Sequence, residues 1–110
     1  MSLRSGSECT HVIINSSAGT VAVVAAVPRT RVYIYRLILV ISTPGITLTI
    51  QDTASAALSA SYPLAANGSI TLDIPNNFDP WWTSGVGLGV QFGQTGTTLI
   101  GADVYYLQGP

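Results

Sequence analysis

Residues 31–51 read RVYIYRLILVISTPGITLTIQ, and the assignment of these two runs decides the fold. They are joined by Thr43-Pro44-Gly45, where proline presets φ and glycine supplies a positive φ for a turn. In the second run Ile46, Leu48 and Ile50 point one way and Thr47, Thr49 and Gln51 the other. That period of two marks a half-buried strand. The first run does not alternate. Val32, Ile34, Ile38 and Val40 share one face, while Tyr33, Tyr35, Leu37, Leu39 and Ile41 make the other face apolar as well. A strand apolar on both sides needs two covering layers, which is unusual in a two-layer domain of this size. The surplus face is expected to be a wide core edge closed by an aromatic loop, or a surface for another subunit. Tyr33 and Tyr35 then lie nearer the contact.

Outward from this stretch the chain continues in short strand-like runs. HVIIN (11–15) ends at the turn Ser16-Ser17-Ala18-Gly19, and TVAVVAAV (20–27) stops at Pro28-Arg29-Thr30. TASAALSA (53–60) reads as a loop or a poor edge strand. In SYPLAANGSITLDI (61–74), Asn67-Gly68 is the preferred central pair of a type I′ hairpin turn, and Pro63 restricts its arm to an edge. PNNFDPWWTSG (75–85) is an irregular, aromatic connection. Val86, Leu88, Val90 and Phe92 then alternate, and so do Thr98, Ile100, Ala102, Val104 and Tyr106. Seven to nine short strands with frequent turn signals and no convincing helix predict an all-β fold. It is read as an antiparallel, jelly-roll-like β-sandwich, with a single curved barrel as the alternative. Residues 1–10 read as an N-terminal arm, either frayed or ordered on a neighbouring subunit. Residues 11–110 read as one domain.

Composition narrows the function classes. Only 8% of the 110 residues are charged, against a typical ~25%, while 47% are apolar. The four cations are Arg4, Arg29, Arg31 and Arg36, and the net charge is −1. Nothing here attracts nucleic acid or an anionic membrane electrostatically. No apolar run approaches the ~18–20 residues of a spanning helix. The polar start carries no export signal, and a lone Cys9 suits a reducing cytoplasm. An apolar, weakly charged domain of this kind is expected to live in an assembly.

Catalytic and metal signatures are missing from the sequence. One histidine, His11, does not make a metal site, and it reads as a partly exposed residue at a strand start. No serine sits in a G-x-S-x-G elbow. Asp52, Asp73, Asp79 and Asp103 have turn, edge and ion-pair uses that require no catalysis. Gly85-Val86-Gly87-Leu88-Gly89 lacks the lysine of a phosphate loop. The reading is a non-enzyme with no cofactor and no metal. Adjacent Trp81 and Trp82 point oppositely if extended, so one plugs the sandwich and the other is free for a contact. Arg36 is expected to pair with Asp73 or Asp103, or to cross an interface. Arg29 and Arg31 are a basic pair available to an acidic partner.

Taken together, the chain resembles the small β-sandwich virion proteins of tailed bacteriophages, particularly capsid decoration or cement proteins. The resemblance rests on layout over about residues 11–107: a Val/Ala-rich strand turning into RVYIYRLILVIS, then ITLTIQD, YPLAANGSITLDI, PWWTSGVGLGV and VYYL. It implies a protein without catalysis on the outside of a capsid, made in the host cytoplasm. Its partners would be the major capsid protein and its own copies, as a dimer or trimer. A head-completion or tail component, or a carbohydrate-binding β-sandwich module, are the alternatives. Candidate contact residues are Arg4, Arg29, Arg31, Tyr33, Tyr35, Trp81 and Trp82.

Overall fold

Alternating apolar residues make half-buried strands, and such strands need a second sheet to cover them. The computed structural model, which describes residues 9–75 and 79–110, shows how they find it. The strands are β1 (Thr10–Ser16), β2 (Thr20–Val24), β3 (Arg31–Ile41), β4 (Ile46–Asp52), β5 (Tyr62–Leu64), β6 (Ser69–Leu72), β7 (Trp82–Thr83), β8 (Val90–Gln94) and β9 (Ile100–Gly109). Sheet A runs β1-β9-β3-β6, with β7 beside the start of β3, and sheet B runs β2-β8-β4-β5. All pairings are antiparallel, and the described residues include no helix.

The pairs are nested. β4 meets β5, β3 meets β6, β2 meets β8 and β1 meets β9. Rolling this long nested ribbon brings β3 against β9 and β4 against β8, which seals the two sheets. The result is a jelly-roll sandwich, with the two-residue β7 added between the sixth and eighth strands.

The double-sided apolarity of β3 has a local cause. Ile34 stands opposite Tyr106 and Arg36 opposite Tyr105, so Tyr35 is an extra residue that the β3–β9 register skips. This β-bulge shifts the phase of the strand by one. Before it Val32 and Ile34 face the core, and after it Leu37, Leu39 and Ile41 do. Tyr33, Arg36, Ile38 and Val40 are left on the outside. The expectation of one wholly surplus apolar face is therefore corrected. Leu37 and Leu39 are core residues, and only Ile38 and Val40 add apolar surface outside.

Two turn assignments also change. The Thr43-Pro44-Gly45 and Asn67-Gly68 segments are not hairpins, because β3 and β6 lie in sheet A while β4 and β5 lie in sheet B. Both are corners that carry the chain between sheets. In the second, Gly68 N–H donates to the Ala65 carbonyl, so Asn67 is the third residue of the turn, with φ 61°. A type I′ turn centred on Asn67-Gly68 needs positive φ at both residues, and only Asn67 has it. The two corners touch. A side chain on Gly45 would meet the Leu64 carbonyl oxygen at 2.6 Å.

Strand ends are shorter than alternation suggested. β2 stops at Val24, leaving Val27 exposed. β8 begins at Val90, because Gly85–Gly89 is a turn in which Gly87 has φ 76° and Val86 is exposed. The Thr53–Ala60 stretch is a loop with a single bridge, Gln51 to Ala57. Pro63 sits on edge strand β5, as its missing N–H requires.

The core joins both inner faces: Val32, Ile34, Leu37, Leu39 and Ile41 from β3, Leu48 and Ile50 from β4, Phe92 from β8, and Ile100 and Val104 from β9. Each fully buried aliphatic side chain of this kind contributes roughly 1.5–3 kcal/mol. One end of the roll is tied by side chains. Gln94 Nε2 donates to the Ala18 and Thr98 carbonyls, its Oε1 accepts from Thr98 N–H, and Thr98 Oγ1 donates to the Pro44 carbonyl. At the other end fully buried Ser84 accepts from Val32 N–H through Oγ, which donates to the Leu88 carbonyl.

Candidate functional site

The two sheets present outer faces of different chemistry. On sheet A the pairing aligns cross-strand rows. Asn15, Gly101, Val40 and Ser69 form one, and Ile13, Asp103, Ile38 and Thr71 the next. The third places His11, Tyr105 and Arg36 side by side. The His11 imidazole stacks on the Tyr105 ring, with centroids 4.5 Å apart and planes 3° from parallel. The Arg36 guanidinium lies 5.3 Å from the centroid of the same ring, within cation–π range.

Carboxylates hold both flanks of this row. His11 Nε2 donates to Asp103 Oδ1 at 2.8 Å, and Arg36 Nε lies 3.5 Å from Asp73 Oδ1. Of the two internal partners foreseen for Arg36, the structure selects Asp73. Around the row exposed aliphatic residues stand among polar ones. Ile13 is 66% exposed, Leu99 51% and Val40 50%. Glycine at 101 leaves a shallow depression of about 310 Å³, bordered by Val40, Leu99, Ile41 and Asn67.

A second depression of about 390 Å³ lies where β3 begins and β9 ends, lined by Tyr33, Tyr35, Leu107, Gln108, Gly109 and Pro110. Tyr33 donates its hydroxyl to the Pro110 carbonyl at 2.7 Å. Tyr35, the bulge residue, is buried yet stands apart from the main core.

Sheet B's outer face holds the third depression, about 300 Å³, walled by Thr20, Thr47, Thr49, Ser61 and Thr95. Gln51 crosses its floor, because Gly93 has no side chain to displace it. Gln91 Nε2 donates to Gln51 Oε1 and to Ser55 Oγ. Its lining contains no charged and no aromatic residue. None of the three depressions is lined by an acid, a histidine or a cysteine, and no cluster of three such residues occurs among the described residues.

The contact residues chosen from sequence scatter over these features. Arg4 lies outside the described residues. Arg29 is exposed in the β2–β3 loop with φ 65°. Arg31 is half-buried at the start of β3 and donates to the Ser84 carbonyl at 3.3 Å, so it belongs to the local framework. Tyr33 and Tyr35 share the depression at the end of β9. Trp82, opposite Ile34 on β7, packs against the core as the plug, while Trp81 is 42% exposed and donates Nε1–H to the Asp73 carbonyl. Of the adjacent tryptophans, Trp82 thus takes the plug position and Trp81 lies exposed.

The His11–Tyr105–Arg36 row was not foreseen as a unit. The alternation of β9 already places Asp103, Tyr105 and Leu107 on the side opposite its core residues. Only the β1–β9–β3 pairing shows which of them meet. No family model matches the chain, and no curated protein or solved structure is significantly similar to it.

Proposed function

We propose that this chain is a non-catalytic structural subunit of a virion. It acts as a decoration protein that lays the outer face of sheet A on the outer surface of a capsid and bridges capsid subunits there. The single observation that carries this reading is the composition of that face. Ile13, Val40 and Leu99 stand exposed around an aromatic and charged row, in a chain with few charges to spend on solubility. Interfaces of this mixed kind place apolar and aromatic groups centrally, with Arg among them. Each copy buries a modest area, and many copies on one shell convert weak contacts into stable clamping. The resemblance to phage decoration proteins supports the same assignment.

The test is co-sedimentation of the purified chain with empty shells assembled from the major capsid protein of the genome that carries its gene. Copies per particle are then counted by quantitative mass spectrometry. Hundreds of copies on the shell are expected. About a dozen would make the chain a connector or tail part, and none would remove the virion reading.

Carbohydrate binding is the second reading, and one observation favours it: the neutral groove of sheet B, where a fixed Gln51 amide and several hydroxyls face solvent. Hydroxyl-rich ligands are matched by such uncharged donors and acceptors. A glycan array with no binder, or with binding unchanged in Gln51→Ala, would exclude the groove as a sugar site.

A further inference from the structure

A β-sandwich of two open sheets has four edges, and an exposed edge invites pairing with any available strand. Three edges here carry devices that blunt this tendency. β2 has a register irregularity between Ala22 and Val24. β5 is three residues long with Pro63 at its centre. β6 covers only Leu37–Val40 of β3, and the two-residue β7 covers Tyr33 and Ile34, so that edge is broken into short pieces.

The fourth edge, β1, has no such device. It pairs with β9 over all seven residues from Thr10 to Ser16 without a register shift. It contains no proline, no lysine and no acid, and its outward-facing middle residue Ile13 is the most exposed large apolar residue described. Among the described residues nothing pairs with its other side.

We propose that this edge is a self-association site, at which β1 pairs antiparallel with β1 of a second copy about a two-fold axis through Ile13. The sequence of the strand identifies the occupant. Thr10-His11-Val12-Ile13-Ile14-Asn15-Ser16 is palindromic in character: two polar residues, three β-branched apolar residues, two polar residues. An isologous contact requires this symmetry, since each residue must suit its counterpart across the axis. With the axis at Ile13, that residue faces Ile13 of the partner subunit. Val12 faces Ile14 of the partner subunit, His11 faces Asn15 of the partner subunit, and Thr10 faces Ser16 of the partner subunit.

Moving the axis to Val12 would set Ile13 against His11 of the partner subunit and Ile14 against Thr10 of the partner subunit. Moving it to Ile14 would set Ile13 against Asn15 of the partner subunit and Val12 against Ser16 of the partner subunit. Only the axis at Ile13 matches apolar with apolar and polar with polar throughout. No like charges meet in it. The pairing joins two copies of sheet A into one continuous sheet and covers two exposed isoleucines. It also presents two His11–Tyr105–Arg36 rows on one surface, which makes any partner of that face a bivalent target.

The proposal goes beyond the virion reading and does not depend on it. Sedimentation equilibrium of the full chain tests it, together with site-directed crosslinking in a Cys9→Ser background. The wild type is expected to be a dimer. Ile13→Lys, a change at an exposed position, keeps the circular dichroism of the folded chain while weakening the dimer by at least about 100-fold, because two ammonium groups then face each other. Ile13→Cys crosslinks under mild oxidation, since an axial residue faces its own copy within disulfide range.

Asn15→Cys does not crosslink, because its two copies stand four residue steps apart, roughly 13 Å. A wild-type monomer at all concentrations overturns the proposal, and so does a trimer. A dimer indifferent to Ile13→Lys, or equal crosslinking at positions 13 and 15, does the same. If Ile13→Lys fails to fold, the two cysteine variants decide alone. A β1 dimer that never binds a shell leaves this proposal standing and removes only the virion reading.

Discussion

The outer faces of sheets A and B cover the same core, yet they meet water in opposite ways. Sheet B's face is neutral and self-satisfied: Gln91 holds Gln51, Thr49 Oγ1 lies 3.1 Å from Ser61 Oγ, and no apolar side chain of size stands among them. Sheet A's face keeps three exposed aliphatic residues and spends its charges locally, Arg36 on Tyr105 and Asp73, Asp103 on His11. The low charge of the chain is therefore not a uniform property of its surface. One face is solvated without charge. The other remains partly apolar although threonine was available in the same fold, as β4 demonstrates at Thr47 and Thr49. A face left apolar where a polar solution exists points to contact rather than to poor solubility.

The largest effect tests whether the bulge has been placed correctly, since the division into inner and outer residues depends on it. Leu39 is fully buried and its neighbour Val40 is half exposed. Leu39→Ala is expected to cost about 2–5 kcal/mol in urea unfolding, through lost transfer energy and the cavity left behind. Val40→Ala should stay within about 0.5 kcal/mol. With Val32 and Ile34 facing the core, a strand without the shift would invert the two costs, and a Val40→Ala cost at or above that of Leu39→Ala would collapse the comparison of faces.

This phase shift also marks the limit of what could be read from the sequence. The strands without irregularity, β4, β6 and β9, were legible because period-two alternation is a local property. β3 was not, because one extra residue at Tyr35 inverts the faces midway. Once Tyr35 is skipped, Val32, Ile34, Leu37, Leu39 and Ile41 alternate cleanly with Tyr33, Arg36, Ile38 and Val40. The Pro44-Gly45 and Asn67-Gly68 turns were legible as reversals. Turn chemistry does not say whether the flanking strands pair with each other or part to different sheets. That one of Trp81 and Trp82 would pack inward and the other lie exposed was legible from their adjacency. The His11–Tyr105–Arg36 row was not, since it joins residues up to 94 positions apart through strand pairing alone.

A smaller effect separates the two interactions of Arg36. Arg36→Ala is expected to lower stability by about 0.5–1 kcal/mol, through loss of the cation–π contact and of the stem packed along the sheet. Asp73→Asn should change almost nothing, because the carboxylate is 81% exposed and a solvated ion pair contributes little. Thermal melting of the two variants side by side checks this. If Asp73→Asn costs as much as Arg36→Ala, the ion pair organises the row and the stacking on Tyr105 is incidental.

A set of changes with a small effect on stability carries the most about function. Ile38→Thr, Val40→Thr and Leu99→Thr together would give sheet A the outer chemistry that sheet B already has. Threonine is β-branched and suits a pleated strand at positions 38 and 40, and Leu99 is an exposed residue just before β9, so each change should stay within about 0.5 kcal/mol. Ile13 is left in place, so pairing through β1 is untouched and the oligomeric state serves as an internal control. Only the contact made by the flat of the sheet is removed. Co-sedimentation with shells should then disappear while the variant remains folded and self-associated. Should the triple variant still bind as the wild type does, the flat of sheet A is not the shell contact. The exposed aliphatic residues would then have to be explained by something other than the partner proposed for them.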